Sequence, residues 1–321
     1  MSGLAASPVE FPVLRSWLFV PGDSERKQEK ALATDADAII LDLEDSVAPE
    51  LLTQARERVS RLLGREERPS GPQLWVRVNA PASGLMRADL DAVFAGGAPH
   101  GVVLPKISTP AEIAETAACL DGLEGRPGSP VRRTRVLVIA TETPRGLLAL
   151  SQYPAALGGM PAVAARLAGL TWGAEDLGAA LGARSRYDAS GELTFTFQLA
   201  RSSCLLAAAA LGVQAIDAVH ADFRDAAGLQ EQLARARRDG FSGKLAIHPE
   251  QVTTINAAFS PTNAEREQAQ RVVAAFAAAP GAGVVSLDGR MLDRPHLLQA
   301  QRILAMTPSD RAAARGAKGG P

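Results

Sequence analysis

The sequence predicts an α/β fold, a TIM (β/α)8 barrel followed by a C-terminal extension made of helices and a hairpin. Short aliphatic runs recur along the chain, and segments with helical spacing of apolar residues lie between them. Eight such units in about 250 residues match the size of one barrel. A doubly wound parallel sheet is the alternative fold, but no Gly-x-Gly-x-x-Gly turn follows the first strand, so dinucleotide binding gains no support.

The strand candidates are short and apolar, as expected of parallel strands that are covered on both faces. In chain order they are SWLFVPG, AIILDLED, LWVRVNA, GVVLPKI, RVLVIATE, RLAGLTWG, VQAIDAVH and KLAIHPE. Helical segments such as SERKQEKALAT, PELLTQARERVSRLL and LQEQLARARRDG separate them. Because strands and helices alternate, right-handed crossovers and a parallel sheet follow. We assign residues 10–258 to the barrel.

Residues 259–306 are surplus to a barrel and form the predicted extension. SPTNAEREQAQRVVAAFAAA predicts a helix with Ser260 or Thr262 as its N-cap and Pro261 near its start. GAGVVSLDGRMLDRP predicts a hairpin, because two apolar runs flank Asp288 and Gly289, and HLLQAQRILAM predicts a last helix. Residues 307–321 are small, polar and basic, which indicates a disordered tail.

The composition excludes several classes of function. Basic residues number 34 and acidic residues 35, so there is no global field to attract nucleic acid. The cysteines, Cys119 and Cys204, stand in no metal or redox spacing. No basic-then-apolar leader opens the chain, and no apolar run reaches the roughly 18 residues of a spanning helix. We therefore expect a cytoplasmic protein with neither nucleic acid nor membrane as a partner.

Charged and polar residues follow the predicted strands, at the end of a parallel barrel that carries the chemistry. Three carboxylates come together after the second strand, where they raise one another's pKa unless a cation or hydrogen-bond donors compensate. In chain order these strand-end residues are Asp42, Glu44, Asp45, Arg77, Asn79, Lys106, Glu142, Glu175, Asp176, Asp217, His220, Asp222 and His248, while Arg15 leads the first strand.

This set of residues fits a hard cation bound by oxygen. Neither a Ser-His-Asp arrangement nor a histidine-cysteine pair is evident, whereas one or two carboxylates with several waters suit magnesium better than zinc. The histidines show no paired spacing, and each is interpreted as a structural or solvated residue rather than a ligand. They are His100, His220, His248 and His296.

The chain resembles a known family in several motifs that occur in the family's order. They are RSWLFVPGDSERKQEKALATDADAIILDLEDSVAPE, WVRVNA, GVVLPKI, ATETPRGL, TWGAEDL and GVVSLDGRMLDRPH. These motifs are similar to the citrate lyase β-subunit-like family of CoA ester lyases, within the HpcH/HpaI aldolase superfamily. The resemblance implies a TIM barrel with a C-terminal extension, a magnesium ion, and cleavage or condensation of CoA thioesters such as malyl-CoA or citramalyl-CoA.

The resemblance also implies the metal ligands. Glu142 in ATETP and Asp176 in GAEDL match the family's two magnesium ligands, and Glu142 is expected at the substrate as well. The residues alone leave two alternatives open. Glu142 is also explained by a pair with Arg145, and Asp176 by the favourable dipole of a helix N-terminus.

The acids after the second strand match family residues that surround the metal ligands without binding the metal. By resemblance, Glu44 and Asp45 accept hydrogen bonds from magnesium-bound waters and pair with Arg77, which relieves their repulsion. Asp42 is assigned a structural part only. Arg77 resembles the family arginine that holds the acid substrate and polarises its carbonyl, although it also suits a purely structural partner of the acids.

Three further residues take roles from the resemblance. Arg15 and Lys106 are similar to basic positions at the substrate rim, and both also suit ordinary salt bridges. Asp293 in GRMLDRPH matches an aspartate from a neighbouring subunit that gives a proton to the enolate carbon. The alternative is that Asp293 caps the last helix ahead of Pro295.

The expected reaction is therefore a reversible Claisen-type cleavage that yields acetyl-CoA, or a homologue, and a small 2-oxo acid. Family members are typically trimers or hexamers, so we expect a homo-oligomer. The alternatives are a citrate lyase β subunit acting on a citryl thioester, a malyl-CoA thioesterase, a metal-dependent pyruvate aldolase and a non-catalytic protein. The aldolases usually carry a histidine after the strand-two glutamate, whereas Asp45 follows Glu44, and this departure favours CoA esters.

Overall fold

Eight parallel strands close into a barrel in chain order, which confirms the predicted fold class. The structure, a computed structural model, describes residues 13–65, 71–126 and 133–306. The predictions for residues 10–12 and for the tail at 307–321 lie outside the described residues. The strands are β1 Ser16–Pro21, β2 Ala38–Asp42, β3 Gln73–Arg77, β4 Gly101–Leu104, β5 Arg135–Ile139, β6 Leu167–Thr171, β7 Gln214–Asp217 and β8 Gly243–Ala246.

Helices follow every strand of the barrel, and several crossovers contain more than one. The α-helices are α1 Glu25–Leu32, α2 Leu52–Leu63, α3 Met86–Gly96, α4 Pro110–Glu124, α5 Pro144–Ala149, α6 Tyr153–Gly158, α7 Pro161–Ala164, α8 Ala174–Leu181, α9 Phe195–Leu211, α10 Ala226–Asp239, α11 Pro249–Phe259, α12 Asn263–Ala277 and α13 Arg294–Ala305. Short 3-10 turns occupy Pro49–Leu51, Pro81–Ser83 and Leu150–Gln152. In the described part of the chain, none of the helices combines the length and the apolar character needed to span a membrane.

The interior of the barrel is a packed core. One face of the strands contributes a single apolar cluster, in which Trp17 of β1 and Trp75 of β3 meet edge to face with ring centroids 4.8 Å apart. Every residue of β2 is buried, as expected of a strand covered on both faces. Because side chains fill the interior, polar chemistry is confined to the strand ends.

A buried ionic cluster joins β7, β8 and α9. Asp217 accepts hydrogen bonds from Trp172 Nε1 at 2.8 Å and from Lys244 Nζ at 2.9 Å, and it pairs with Arg201 Nε at 3.3 Å. Burial alone would raise the pKa of Asp217, but Lys244 and Arg201 lower it below its usual value. Asp217 is therefore a structural ion-pair partner among the strand-end acids.

The extension forms a second compact unit, which begins at Ala257. The predicted hairpin is present as β9 Val284–Leu287 and β10 Arg290–Asp293, and Asp288 and Gly289 have φ angles of 51° and 74°, as a type I′ turn requires. Of the two predicted caps, Thr262 is the N-cap of α12, and it forms a capping box with Glu265. The unit has its own small apolar core.

Candidate functional site

The carboxyl ends of β2 to β6 bring most of the predicted site residues to one rim. Asp42 and Arg77 are the last residues of β2 and β3, Lys106 and Glu142 lie in the loops after β4 and β5, and Asp176 lies in the first turn of α8. Because the strands are parallel, residues separated by about a hundred positions in sequence meet here. We call this group, together with Glu44 and Asp45, the acidic rim.

Arg77 is fixed by Asp42, the residue to which the sequence analysis gave a structural part only. Its Nε and Nη2 donate to Asp42 Oδ1 and Oδ2, each at 2.6 Å, while Nη1 lies 3.0 Å from Glu44 Oε2. Asp45 Oδ2 is 3.9 Å from Nη1, so the expected pairing of Arg77 is close for Glu44 and marginal for Asp45. The bidentate geometry leaves the Nη1 side of the guanidinium facing the rim.

The fork between Asp42 and Arg77 is a buried ion pair with further support. The backbone N–H groups of Glu44 and Ser46 donate to the Asp42 carboxylate at 3.0 and 3.1 Å. Burial opposes ionisation of Asp42, but these hydrogen bonds and Arg77 together lower the pKa of Asp42 below its usual value. The guanidinium also lies over the Phe19 ring, 4.9 Å from its centroid.

Lys106 connects the two sides of the acidic rim. Its ammonium nitrogen lies 2.5 Å from Glu44 Oε1, 2.7 Å from Asp45 Oδ2 and 3.5 Å from Asp176 Oδ1. Its backbone N–H donates to Glu142 Oε2. The residue has φ 53°, and among the described non-glycine residues only Asp288 shares this left-handed conformation. Such strain recurs at functional sites.

Glu142 is the most deeply buried carboxylate that is a candidate metal ligand. Only 3% of the residue is exposed, and burial raises the pKa of Glu142 to about 8. The Lys106 N–H and Arg77 lower the pKa of this group, whereas the carboxylates of Asp176 and Glu44 raise it further. The rim thus concentrates more negative charge than its cationic side chains offset.

The donor set fits magnesium rather than zinc. Within the described residues, no group of three or more His, Cys, Asp or Glu side chains could hold a metal. Glu142 and Asp176 offer carboxylate oxygens alone, and magnesium keeps several waters when it binds one or two carboxylates. Glu44 Oε2 is buried and lies 3.0 Å from Arg77 Nη1, so this oxygen faces a cation.

Arg15 does not lie at the rim, contrary to its predicted place there. It precedes β1 and grips Asp37, which precedes β2, through Nε to Oδ2 and Nη2 to Oδ1, both at 2.8 Å. Both residues therefore lie at the amino ends of the strands, the opposite end of the barrel. The sequence motif fixes the position of Arg15 along the chain, but the direction of the strand decides its end of the barrel.

Asp293 lies in the second compact unit and is the N-cap of α13. Its Oδ1 is 2.5 Å from His296 Nδ1, in a capping box with Pro295 in the first turn. The capping role weighed in the sequence analysis is therefore real. The side chain is half exposed, at 52%, so capping does not remove Asp293 from contact with other groups.

A cleft beside the rim was not predicted. It has a volume of about 470 Å³ and lies between β1, α1 and the loop after β8. Three basic residues of α1, Arg26, Lys27 and Lys30, line it, and Phe19 joins it to the guanidinium of Arg77. The signal in the sequence was the spacing of these cations, which places them on one face of a helix.

The far wall of the cleft is the loop Ile247–Pro249, which Gln251 holds in place. The Gln251 carboxamide accepts the N–H groups of Ile247 and His248 at 2.9 and 3.2 Å and donates to the His220 carbonyl at 2.9 Å. The His248 ring stacks on Phe223, with centroids 4.4 Å apart. His248 is therefore a wall residue of the cleft.

Comparisons with known proteins find relatives over most of the chain. The sequence model of a family described as HpcH/HpaI aldolase/citrate lyase matches residues 15–249. A (3S)-malyl-CoA thioesterase of Cereibacter sphaeroides is 36% identical over 293 residues, covering 91% of this chain and 93% of the relative. Mitochondrial citramalyl-CoA lyase of Homo sapiens is 35% identical over 303 residues, covering 92% of this chain and 86% of the relative.

A solved structure is also similar over nearly the whole chain. It is the protein CitE of Mycobacterium tuberculosis in complex with magnesium, acetoacetate and coenzyme A. The TM-score is 0.69 at 35% identity, and the match covers 92% of this chain and 98% of that one.

Gly173 provides a test of the position of Glu142. A Cβ at Gly173 would lie 2.4 Å from Glu142 Cγ, so Gly173→Ala should displace the carboxylate and weaken Mg²⁺ binding by about tenfold or more. Gly178→Ala, in the helix α8 that Gly173 caps, is the control, because its Cβ would make ordinary contact at 3.6 Å with Phe197. Isothermal titration of Mg²⁺ into both variants measures the difference. Equal affinities would mean that Glu142 is not a ligand.

Proposed function

The chain belongs to the HpcH/HpaI aldolase/citrate lyase family, and from this premise we propose that it is a magnesium-dependent lyase of CoA thioesters. The bond that it cleaves or forms is the carbon–carbon bond of a 3-hydroxyacyl-CoA such as malyl-CoA or citramalyl-CoA. The products of cleavage are acetyl-CoA, or a homologue, and a 2-oxo acid. The observation that carries the proposal is the meeting of Glu142, Asp176 and Arg77 at one rim, beside a cleft with basic side chains.

Glu142 and Asp176 are the residues that would hold the metal. Magnesium bound there supplies Lewis-acid stabilisation of the charge that develops on the oxygen of the keto acid. Glu44 and Asp45 do not bind the metal in this proposal. They fix Lys106, and by the resemblance they would accept hydrogen bonds from waters on the metal.

Arg77 binds the 2-oxo acid and polarises its carbonyl. Because Asp42 occupies Nε and Nη2, the guanidinium cannot rotate, and Nη1 remains directed at the rim. A donor fixed before the reaction stabilises developing charge without reorganisation. Asp42 is thus a positioning residue for Arg77.

The cleft suits the CoA part of the substrate. Arg26, Lys27 and Lys30 offer positive charge to phosphates, while Phe19 and Val20 offer an apolar wall to the pantetheine chain. Phe19 also contacts Arg77, so a thioester at the Phe19 end of the cleft would lie next to the acidic rim. The lining of the cleft thus suits a ligand with an anionic end near α1 and a reactive end near Arg77.

Hydrolysis of malyl-CoA is the second candidate function. It is favoured by the 36% identity to the thioesterase of Cereibacter sphaeroides. Both reactions use the same thioester and an acidic rim, and they differ in whether water attacks the thioester carbonyl or the carbon–carbon bond breaks. The products distinguish them, because hydrolysis releases free CoA and leaves the hydroxy acid intact.

A substrate panel tests the proposed function. Malyl-CoA, methylmalyl-CoA, citramalyl-CoA and citryl-CoA are incubated with Mg²⁺, and keto acid and free CoA are measured together. We expect keto acid from at least one thioester and little free CoA. Glu142→Gln and Asp176→Asn should abolish this activity and weaken Mg²⁺ binding while the fold remains, because an amide replaces a carboxylate poorly at magnesium. Free CoA without keto acid would identify a thioesterase instead.

Arg77→Lys tests the fixed guanidinium against a matched control. Lysine keeps the charge but loses the bidentate geometry, so kcat/KM should fall by about a hundredfold. Arg15→Lys breaks a similar fork with Asp37 at the other end of the barrel and should leave kcat/KM within about threefold. Steady-state kinetics on the best thioester measure both variants. Equal losses in the two variants would assign Arg77 to stability rather than to the reaction.

The extension completes the active site of a neighbouring subunit in this proposal, with Asp293 as the proton donor to the enolate carbon. The proposal rests on the sequence match of GRMLDRPH to the family motif and on the half-exposed carboxyl of Asp293. A homotrimer or hexamer would satisfy it, because exchange of identical segments closes a ring of subunits.

Mixed oligomers test this sharing. Asp293→Asn should keep Mg²⁺ binding but lose turnover, because only the proton-transfer step is removed. When this variant is co-assembled with Glu142→Gln, part of the activity should return, since one chain supplies an intact metal site and the other an intact Asp293. Co-purification on two tags verifies the hybrids. Verified hybrids without activity, or a monomer in solution, would reject sharing.

A further inference from the structure

Lys106 makes more contacts with the acidic rim than anchoring a substrate requires. Its ammonium contacts three carboxylates, Glu44 and Asp45 of the loop after β2 and Asp176 of α8. Asp176 is one of the two proposed metal ligands, and the backbone N–H of Lys106 donates to the other, Glu142. One residue therefore touches both proposed ligands of the metal.

The left-handed backbone of Lys106 makes this double contact possible. At φ 53° the N–H is directed at Glu142 while the side chain reaches back across the rim to Glu44 and Asp45. A non-glycine residue in this conformation is strained, because its Cβ crowds the neighbouring backbone. Glycine would avoid this strain, but it would lack the ammonium.

The charges at the rim suggest what the ammonium does. The Asp42 carboxylate is neutralised by the bidentate fork of Arg77. Of the remaining carboxylates, Glu44, Asp45 and Asp176 lie within 3.5 Å of the Lys106 ammonium, and Arg77 Nη1 lies beside Glu44. A divalent cation between Glu142 and Asp176 would then share Asp176 with the ammonium.

We propose that Lys106 is an internal cation that competes with magnesium for the acidic rim and so holds the affinity of the metal site down. The inference rests on the proposed function, because it takes Glu142 and Asp176 as the metal ligands. Two cations that share one carboxylate repel each other, and even in a waterlike dielectric a unit charge a few ångströms from a dication changes affinity by roughly tenfold. Lys106 is therefore a residue that tunes the metal site, in addition to any contact with substrate.

If Lys106 competes with magnesium, its removal should raise the affinity for Mg²⁺, which a purely structural role would not predict. Lys106→Met keeps the aliphatic stem and removes the charge, so it should bind Mg²⁺ about tenfold more tightly than the wild type. Lys106→Arg keeps the charge and should bind Mg²⁺ within about threefold of the wild type. If Lys106 only held Glu44 and Asp45 in place, its loss would loosen the acidic rim and lower the affinity for Mg²⁺.

The measurement is isothermal titration of Mg²⁺ into chelator-treated full-length protein, without substrate. Arg87→Met removes one positive charge from an exposed pair with Asp91 and controls for the change in net charge. Lys106→Gly removes the ammonium and relieves the backbone strain, so it should also bind Mg²⁺ more tightly than the wild type. This second variant keeps the test valid if Lys106→Met does not fold, which loss of a cooperative thermal transition would reveal. Unchanged or weaker binding in folded Lys106→Met or Lys106→Gly would overturn the proposal.

The same titrations separate this inference from the proposed function. If Glu142→Gln binds Mg²⁺ as well as the wild type does, the metal ligands themselves are wrong. If Glu142→Gln loses the metal while Lys106→Met and Lys106→Gly gain no affinity, the metal site stands and only the role of Lys106 fails.

Discussion

The acidic rim depends on compensation of buried negative charge. A carboxylate that leaves water raises its pKa and neutralises unless a cation or hydrogen-bond donors stabilise the ionised form. Asp42 meets this condition through Arg77 and two backbone N–H groups. Glu142 meets it only in part, because one N–H and a more distant Arg77 do not offset burial and its acidic neighbours. The same imbalance that makes the rim costly makes it attractive to a divalent cation.

The barrel provides the rigidity that this compensation requires. Parallel strands bring Asp42 and Arg77 into register as neighbours, so their fork follows from strand pairing. At Gly173, the absence of a Cβ allows β6 and α8 to approach Glu142 closely. These features fix charged groups on the ends of strands, where the packed interior below leaves them little freedom to relax.

The arrangement separates binding from chemistry. Basic side chains of α1 line the cleft and the acidic rim lies beyond Phe19, so in the proposed function the CoA phosphates and the metal are held at different places. A lyase and a thioesterase of this family can share such an arrangement, because both must hold a CoA thioester and a small acid. What distinguishes them is whether water reaches the thioester carbonyl, which is a property of packing around the reacting atoms.

The sequence by itself determined the barrel, the hairpin at Asp288–Gly289 and the presence of acids and bases at the strand ends, because periodicity and turn chemistry are local properties. The tertiary structure alone decided which charges meet. Asp42 proved to be the partner of Arg77 through the register of β2 and β3, and Arg15 lies at the other end of the barrel with Asp37. Side-chain partners depend on contacts between residues far apart in the chain, which the local pattern does not encode.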